Sequence, residues 1–433
     1  MLDKVRPMEY DTNEPHDLSL TVEESEQYQL FALNRVYQRV MESSLFYQRK
    51  FSGFIGRSIE TLEDFQQLPF TTKEELREGY PLGLQAVPNR DIVRIHSSSG
   101  TTGKPVIIPY TRNDVANWAE MFARCYAMAG VTPEDRVQIT PGYGLWTAGI
   151  GFQAGVERLG AMAIPMGPGN TDKQLEMMVD LGSTVLCSTS SYALLLAEEV
   201  QKRQLRDKIK LRIGIMGSER WGDKMRARIE LELGIETYDI YGLTEIYGPG
   251  IGIECHCHQG IHYWTDHLYF EIIDPSTGKV LPNGELGELV ITTLTKEGAP
   301  LIRYRTRDLT RIIPGRCHCG SIFPRIDRIL GRSDDMIKIK GVNIYPGQIE
   351  DVLRETTGAS SEYQVRLSRQ DARDHMLLVA EAEPGNDLEE VAARIEQNFK
   401  KKIGIVIDVK TVPLGTLPRS EKKSKRVFDE RDI

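Results

Sequence analysis

The chain has 433 residues, enough for two or three domains, of which 40% are hydrophobic and 27% charged. Its 62 acidic residues outnumber 54 basic ones, and the resulting net charge of −8 argues against broad binding to nucleic acid. No apolar run approaches the roughly 18 residues that span a bilayer, the N-terminus carries no hydrophobic signal region, and six cysteines do not suggest a disulfide scaffold. We therefore expect a soluble, cytoplasmic protein without a membrane or nucleic-acid partner.

Residues 1–90 carry helical patterns. Leu30, Leu33 and Val36 recur on one helix face, and Thr72 with Glu75 three residues later predicts a capped helix start. From residue 91 to 245, short β-rich runs alternate with helical patterns, which predicts α/β layers. Residues 268–315 become β-rich and contain turn sequences, which predicts an antiparallel subdomain. The strands predicted in the α/β region span residues 136–140, 162–165, 183–187 and 211–216.

A smaller C-terminal domain of α+β type is predicted at residues 332–433, after a large N-terminal domain at residues 1–331. Its second helix is the clearest, because Asn386 or Asp387 can cap it and Gly404 can end it. The basic segment that begins at residue 418 is interpreted as a local tail. The pattern predicts a strand at 336–345, a helix at 346–356, strands at 362–368 and 375–383, a helix at 387–400 and a strand at 405–412.

Hydroxyls, glycines and one lysine are concentrated between two strand patterns, 92–95 and 106–108. Amides and hydroxyls in a tight glycine-rich turn form a concave set of donors suited to phosphate oxygens. A flexible linker would have polar flanks and no lysine. The spacing also excludes a Walker A loop, because only two residues separate Gly100 from Gly103 and a proline follows Lys104. The predicted phosphate contacts are Ser98, Ser99, Gly100, Thr101, Thr102 and Lys104.

Two carboxylates follow further strand patterns, at the positions where ligands bind in α/β sheets. Glu245 ends the run 238–245 and is suited to Mg²⁺ on a nucleotide, since magnesium prefers one or two carboxylates together with phosphate oxygens. The alternative is that Thr244 and Glu245 cap a helix. Asp308 ends the run 300–308 and is suited to accept both ribose hydroxyls of a nucleotide.

In combination, these segments resemble the acyl- and aryl-adenylate-forming ligases, most closely the phenylacetate–coenzyme A ligase family. The resemblance implies a two-step reaction. A carboxylate attacks the α-phosphorus of ATP to give an acyl-adenylate and pyrophosphate, and coenzyme A then displaces AMP to give a thioester. The family also implies a homodimer. The matching segments cover nearly the whole chain and occur in the family's order: 97–105, 142–147, 217–219, 241–245, 304–308, 331–341 and 417–423.

The resemblance implies roles for individual residues of the nucleotide site. Glu245 and Thr244 would act in catalysis, and Glu245 would hold Mg²⁺. Asp308 and Arg332 would bind ribose, and Asp334 would be the hinge about which the small domain rotates between the half-reactions. The residues assigned to ATP or AMP in the same way include Ser218 and Glu219 beside adenine, and Asp239, Tyr241, Gly242 and Thr244.

The family's catalytic lysine falls on Lys423, where a positioned cation would stabilise charge that develops between the carboxylate and the α-phosphate. Lys422 replaces the glycine that the family usually has at that position, and Lys425 lies close in sequence. A solvated basic tail is the alternative interpretation of this segment.

An acyl pocket is implied at residues 142–147. Tyr143, Gly144 and Trp146 match the family's segment, and the two aromatic rings would offer flat apolar faces to an aromatic acid. The alternative is that these aromatics belong to the core.

Two clusters of cysteine and histidine, at residues 254–262 and 316–320, fit a tetrahedral zinc site. Free reduced thiols are the alternative in a cytosolic setting, and Cys125 and Cys187 are interpreted as core residues. On the pattern of the relatives that carry such cysteines, the ligands of a structural zinc would be Cys255, His262, Cys317 and Cys319. The additional residues His256, Cys257 and His258 leave the second ligand open.

We therefore expect an ATP- and Mg²⁺-dependent ligase that joins an aryl acid, such as phenylacetate, to coenzyme A. The alternative is an adenylyltransferase that stops at the adenylate or uses another acceptor, and only thioester formation separates the two. A third interpretation is a zinc-stabilised nucleotide-binding scaffold without ligase chemistry, which the intact Glu245, Asp308 and Lys423 disfavour.

Overall fold

A computed structural model describes residues 22–98, 104–219, 221–339, 342–370, 373–419 and 425–431. Its α-helices in this part of the chain are α1 (Val22–Ser43), α2 (Leu45–Lys50), α3 (Leu62–Gln66), α4 (Lys73–Glu78), α5 (Arg112–Met128), α6 (Ala148–Leu159), α7 (Thr171–Asp180), α8 (Ser190–Lys202), α9 (Asp223–Leu233), α10 (Pro346–Glu355) and α11 (Leu388–Ile403). Its strands are β1 (Ile92–Ser97), β2 (Ile107–Thr111), β3 (Arg136–Ile139), β4 (Met162–Pro165), β5 (Val185–Thr189), β6 (Ile213–Gly217), β7 (Glu236–Leu243), β8 (Gly248–Glu254), β9 (Ile261–Tyr263), β10 (Leu268–Ile273), β11 (Gly287–Thr293), β12 (Tyr304–Thr310), β13 (Ile312–Ile313), β14 (Arg325–Ile326), β15 (Gly331–Arg332), β16 (Ile337–Ile339), β17 (Val342–Ile344), β18 (Ala359–Gln370), β19 (Arg373–Ala382), β20 (Asp408–Pro413) and β21 (Val427–Asp429).

The largest sheet has nine strands, in the order β13-β14-β9-β8-β7-β6-β5-β3-β4. Strands β3 to β7 of this sheet pair in parallel, and the remaining neighbours pair antiparallel. Successive strand residues face opposite sides of a sheet. Cys187 accordingly belongs to the core that contains Trp118 of α5, whereas Leu186 belongs to the core under α7, α8 and α9. Helices therefore cover both faces, and the predicted α/β layers are confirmed.

The other predictions for the N-terminal part are largely confirmed. Leu33 and Val36 of α1 are buried, and Thr72 and Glu75 form a capping box at the start of α4. The predicted strands occur with ends shifted by two residues or fewer. Strands β10-β11-β12-β15 form the expected antiparallel subdomain. Cys125 and Cys187 are both buried in the core, as predicted.

The small C-terminal domain has its own core, which confirms the expected α+β class. A four-stranded sheet, β20-β19-β18-β21, packs with α10 and α11 around residues such as Val352, Leu378 and Phe399. Asp387 caps α11 by accepting a bond from the Glu390 amide at 3.0 Å. Gly404 ends the helix in a left-handed conformation with φ of 88°.

Two predictions for the small domain were wrong. The described part of residues 336–345 forms not one strand but two, β16 and β17, which pair antiparallel with Ile337 opposite Ile344, so that the backbone groups of each strand satisfy those of the other. The segment interpreted as a local tail returns to the sheet as β21, parallel to β18. Its basic composition concealed this strand. Arg426 is accommodated because its guanidinium pairs with Glu362 at 3.1 Å and stacks on Tyr363 at 4.8 Å.

Polar contacts join the small domain to α8 and α9 of the large one. The Lys224 ammonium donates to the carbonyls of Thr356, at 3.0 Å, and Ala359. Glu198 of α8 pairs with Arg419 at 3.0 Å. Residues of both domains therefore line one cleft. No helix in the described part of the chain is both long enough and apolar enough to cross a membrane.

Candidate active site

A cleft of about 2310 Å³ lies at the carboxyl ends of β3, β6 and β7, where an α/β sheet places its ligands. Of the predicted nucleotide and acyl-pocket residues that the structure describes, Lys104 and Gly144 are not part of its lining. The structure brings the following predicted residues together around this cleft: Ser98, Tyr143, Trp146, Ser218, Glu219, Asp239, Tyr241, Gly242, Thr244, Glu245, Asp308, Arg332 and Asp334.

Glu245 lies in the tight turn between β7 and β8, so the helix-cap alternative is wrong. The side chain is 6% exposed, and its carboxylate pairs with the Lys73 ammonium at 3.0 Å. The Thr244 hydroxyl lies 3.4 Å from that of Thr147. Gly242 allows the turn to close, because a Cβ there would lie 2.0 Å from the Gly248 carbonyl oxygen. The turn thus presents a nearly buried carboxylate and a hydroxyl at the cleft, a donor set that suits Mg²⁺.

Asp308 and Arg332 are neighbours because β12 and β15 pair antiparallel with these two residues in register. The Tyr241 hydroxyl donates to the Asp308 carboxylate at 2.6 Å, and Arg332 approaches the same carboxylate at 3.4 Å. Burial raises the pKa of Asp308 to about 6, although Arg332 acts to lower it. Arg332 also holds Asp334 through two bonds of 2.8 and 2.9 Å, so the predicted ribose site and the predicted hinge share one guanidinium.

The predicted adenine end of the cleft is formed after β6 and along β7. Ser218 adopts a left-handed backbone with φ of 71°. The Glu219 carboxylate accepts the Ser191 amide at 2.7 Å, so this side chain orders the wall of the cleft at the start of α8. Burial, reinforced by the nearby Glu254, raises the pKa of Asp239 to about 7. Across the cleft wall, the Arg226 guanidinium stacks on Trp221 at 4.6 Å.

The predicted acyl segment follows β3. The Tyr143 ring packs closely on Gly149, where a Cβ would lie 2.7 Å from the ring. Trp146 is 56% exposed and lines the cleft, so the interpretation of this residue as a core aromatic is wrong. Gly144, with φ of 107°, provides the backbone reversal between the two aromatics.

The start of the predicted phosphate loop is tied to the acyl segment. β1 and β2 pair antiparallel on either side of the loop, which confirms the two predicted strands. The Ser97 amide donates to the Leu145 carbonyl at 2.8 Å, and His96 Nδ1 contacts the same carbonyl at 3.1 Å. Lys104 is exposed, with its ammonium 5.4 Å from the Tyr80 ring centre. Ser99, Gly100, Thr101, Thr102 and the predicted catalytic Lys423 lie outside the described residues.

Four of the predicted metal ligands converge at a separate place, on the loops at residues 254–262 and 316–320. The ligand atoms of Cys255, His262, Cys317 and Cys319 all lie within 4.8 Å of one another. The Cys255 and Cys317 sulfurs are 3.6 Å apart, and Cys319 Sγ is 3.4 Å from His262 Nε2. These separations resemble the edges of a zinc tetrahedron, roughly 3.8 Å between sulfurs for Zn–S bonds of about 2.3 Å.

The surroundings favour His262 over the other candidates for the second ligand. His262 Nδ1 lies 2.7 Å from the Phe323 carbonyl, which fixes the ring so that Nε2 faces the cysteines. His258 instead contacts Glu236 and Glu254. His256 is exposed, and Cys257 is not part of the cluster. The donor set is therefore two buried thiols, one half-buried thiol and one oriented imidazole.

Two lysines near Glu245 were missed by the sequence analysis. Lys73 begins α4. The capping pattern predicts this helix, but it does not indicate that the Lys73 side chain contacts Glu245, which is far away in sequence. Lys296 is wholly buried behind the 244–247 turn, in a run that carries no motif. No local pattern indicates the second residue, because Lys296 comes three residues after the end of the buried strand β11 at Thr293.

Two family models match the chain. The model described as "AMP-binding enzyme" matches residues 48–295, and that described as "AMP-binding enzyme C-terminal domain" matches residues 341–431. Among solved structures, 2-hydroxyisobutyryl-CoA ligase in the postadenylation state with 2-HIB-AMP is 28% identical, with a TM-score of 0.88, covering 98% of this chain and 95% of that one. The same ligase in the thioesterification state gives a TM-score of 0.70, covering 98% and 96%.

Curated relatives extend over almost the entire chain. The phenylacetate-coenzyme A ligase of Pseudomonas putida is 42% identical, covering 95% of both sequences, and that of Thermus thermophilus is 40% identical, covering 92% of this chain and 95% of the relative. The chain therefore belongs to the phenylacetate-coenzyme A ligase family of AMP-binding enzymes, and it is an AMP-forming acid–thiol ligase.

Proposed function

We propose that this chain activates an aryl acid, with phenylacetate as the first candidate, and transfers it to coenzyme A. The observation that carries the proposal is the single cleft in which an aromatic acyl segment adjoins the Glu245 turn and the Asp308–Arg332 pair. The names of the curated relatives support phenylacetate and coenzyme A as substrates. Exposed Trp146 and the Tyr143 ring supply the flat apolar surfaces that an aromatic acid needs.

In the first half-reaction, the cleft aligns the acid with the α-phosphate of ATP. Asp308, ionised, accepts the ribose hydroxyls, while Arg332 fixes its orientation. Ser218, Glu219 and Asp239 border adenine, and Tyr241 and Gly242 form the floor. The carboxylate oxygen of the acid attacks the α-phosphorus, the bond to the bridging oxygen of pyrophosphate breaks, and an acyl-adenylate remains. Ser98 to Thr102 and Lys104 hold the departing pyrophosphate.

Glu245 and Thr244 would hold Mg²⁺ on the nucleotide phosphates. Bound there, the ion would neutralise charge on the phosphates. The residues fit this role, because a nearly buried carboxylate at the cleft has only the Lys73 ammonium as an ionic partner within the described residues. Lys73 thus compensates the carboxylate when the nucleotide is absent.

Lys423 supplies the cation between the attacking carboxylate and the α-phosphate, and the small domain delivers it. We propose residues 332–433 as this mobile domain, residues 1–331 as the ATP- and acid-binding domain, and Asp334 as the hinge. In the second half-reaction, the domain rotates, and the thiolate of coenzyme A attacks the acyl carbon and displaces AMP. The TM-score is higher against the postadenylation state, 0.88, than against the thioesterification state, 0.70, which supports the present placement of the small domain as the one used for adenylation.

We also propose a structural zinc at Cys255, His262, Cys317 and Cys319. Four protein ligands close the coordination shell, so zinc would pin the two loops and take no part in the chemistry. The distances within the cluster and the oriented His262 ring support the proposal. A homodimer and a cytoplasmic location remain proposals, which light scattering on the purified protein and cell fractionation would test.

A panel of acids tests the proposed substrate class. Phenylacetate, benzoate, indoleacetate and 2-hydroxyisobutyrate would each be incubated with ATP, Mg²⁺ and coenzyme A, while AMP and thioester are quantified together. The proposal predicts equal amounts of AMP and thioester, with aryl acids preferred. Preference for the short aliphatic acid would contradict the aryl assignment, and adenylate without thioester would contradict transfer to coenzyme A.

A further inference from the structure

Lys296 is a cation buried at a place where the proposed chemistry has no direct use for it. The side chain is 0% exposed and is not part of the cleft lining. Burial lowers the pKa of its ammonium to about 7, although Asp114 and Glu245 act to raise it. Placing an ammonium in the interior costs several kcal/mol unless hydrogen bonds and opposite charge offset the loss of water. Its contacts therefore indicate what the cation is for.

Those contacts converge on the turn that carries Glu245. The Lys296 ammonium donates to the Ile246 carbonyl, directly after Glu245. It lies 4.4 Å from the ring centre of Tyr110 and 4.6 Å from that of Tyr247, close enough for cation–π attraction to both rings. The Tyr110 hydroxyl also donates to the Tyr247 carbonyl at 3.0 Å. Lys296 and Tyr110 thus bond two consecutive carbonyls of the turn from its buried side.

The backbone next to Lys296 is itself fixed. Asp114, at the start of α5, accepts the amide of Glu297 at 2.7 Å and that of Gly298 at 2.8 Å. The same carboxylate accepts the Thr111 amide at 2.9 Å. Because the lysine extends from a segment bound to the helix N-terminus, its ammonium is held by the α/β core and not by the cleft.

We infer that Lys296 is a positioning residue, which holds the 244–247 turn so that Glu245 is placed for the magnesium–nucleotide complex. This inference rests on the proposed role of Glu245. Lys73 contacts the carboxylate itself from the cleft, at 3.0 Å, whereas Lys296 acts through the backbone from behind. Replacing Lys296 would leave the Ile246 carbonyl without its donor in an apolar setting, and the turn would shift or loosen.

The test uses Lys296→Met, which nearly keeps the length of the side chain and removes the ammonium that donates to the Ile246 carbonyl. Pyrophosphate exchange would be measured against Mg²⁺ concentration, and calorimetry would measure the binding of Mg·ATP and, without metal, of AMP. We expect the Mg²⁺ half-saturation and the Kd of Mg·ATP to rise about tenfold or more, and the Kd of AMP to change less than twofold.

Lys50→Met is the matched control, because Lys50 is a largely buried cation near a Phe46 ring and does not line the cleft. It should lower Tm without changing the Mg²⁺ half-saturation.

A double-variant cycle with Glu245→Gln distinguishes the positioning of Glu245 by Lys296 from a general loss of stability. If Lys296 acts through Glu245, adding Lys296→Met to Glu245→Gln should produce little further loss. Independent, multiplicative losses would overturn the inference, as would an unchanged Mg²⁺ half-saturation in Lys296→Met. If Glu245→Gln alone kept the wild-type Mg²⁺ dependence, the proposed role of Glu245 would fail instead.

Tyr110→Phe keeps the inference testable if Lys296→Met does not fold. This variant keeps the ring beside the ammonium and removes only the bond to the Tyr247 carbonyl. We expect the Mg²⁺ half-saturation to rise roughly threefold, in the same direction as for the lysine variant. An unchanged half-saturation in Tyr110→Phe would then overturn the inference.

Discussion

The nucleotide cleft and the Cys/His cluster both gather residues from distant parts of the chain, yet they arrange them in opposite ways. In the cluster, four ligand atoms lie within 4.8 Å of one another. In the cleft, the charged groups are spread around a space of about 2310 Å³, and two of the carboxylates have a cationic partner that a ligand can replace. Lys73 pairs with Glu245, and Arg332 approaches Asp308.

This difference is the one expected between the proposed site for a permanently bound zinc ion and a site for exchanging ligands. Four donors that converge on one point, at the spacing of a coordination tetrahedron, suit an ion that stays. Carboxylates held at a cleft by moderate ion pairs, with a pKa near 6 at Asp308, suit ligands that bind and leave. Changes in the cleft should therefore reduce activity more than stability, and changes in the cluster should do the reverse.

Glu245→Gln should have the largest effect on activity. The variant keeps the shape of the side chain and removes its charge, so we expect adenylation to fall about a hundredfold or more while Tm changes little. Pyrophosphate exchange and thermal unfolding would be measured on the same preparation. A large fall in Tm with an equal loss of AMP binding would show that Glu245 has a structural role. The expected difference between the cleft and the Cys/His cluster would then not hold.

Cys317→Ser should have the largest effect on stability. Loss of one sulfur from a four-ligand site should reduce bound zinc from one per chain to nearly none and lower Tm by about 5 °C or more. Metal analysis and calorimetric unfolding would test this. The matched control is Cys257→Ser, on the neighbouring loop but outside the cluster, which should keep both zinc and Tm. Equal behaviour of the two variants would refute the zinc site.

The ionisation of Asp308 should appear in nucleoside binding. Because ribose hydroxyls donate to the carboxylate form, the affinity for adenosine should fall about tenfold per pH unit below a pKa of about 6 and level off above it. Adenosine is the probe because it lacks the phosphate that titrates in the same range. Asp239 also titrates in the cleft, so Asp308→Asn is the reference. If Asp308→Asn showed the same loss of adenosine affinity at low pH, the titration of Asp308 would not be the cause of that loss.

The contact between the domains should have the smallest effect. Glu198 pairs with Arg419, which is also bound to Glu381 of the small domain, so Glu198→Gln removes one charge across the interface. A partly exposed pair contributes at most about 1 kcal/mol, so adenylation should slow roughly threefold without slowing thioester formation. Glu199→Gln is the control, since Glu199 pairs only within α8 and with the adjoining Arg203 among the described residues. Equal slowing of both half-reactions would contradict a role in domain placement.

The sequence predicted the parts of the fold that depend on local pattern. The capping box at Thr72, the end of α11 at Gly404 and the alternation of strands and helices require only neighbouring residues. The antiparallel pair β16–β17 and the strand β21 were missed because their pairing partners, not their composition, make them strands. In the basic tail, Glu362 compensates Arg426 from a strand more than sixty residues away.

The same division applies to the site. Glu245 and Asp308 were predicted because each ends a strand pattern, and the four cluster residues because of the family's pattern. The pairing of Lys73 with Glu245 and the burial of Lys296 behind the turn depend on packing between remote segments, so no local signal reports them. Lys423 stays a prediction, because it lies outside the described residues.

A single-turnover experiment tests the central claim that this ligase makes its thioester through an acyl-adenylate. Enzyme in excess would be mixed with phenylacetate, Mg²⁺ and ATP labelled in the α-phosphate, and coenzyme A would be added after the first phase. We expect phenylacetyl-AMP to form first, together with pyrophosphate, and coenzyme A to convert it to phenylacetyl-CoA and AMP. Release of ADP, or an adenylate that coenzyme A does not discharge, would contradict that claim.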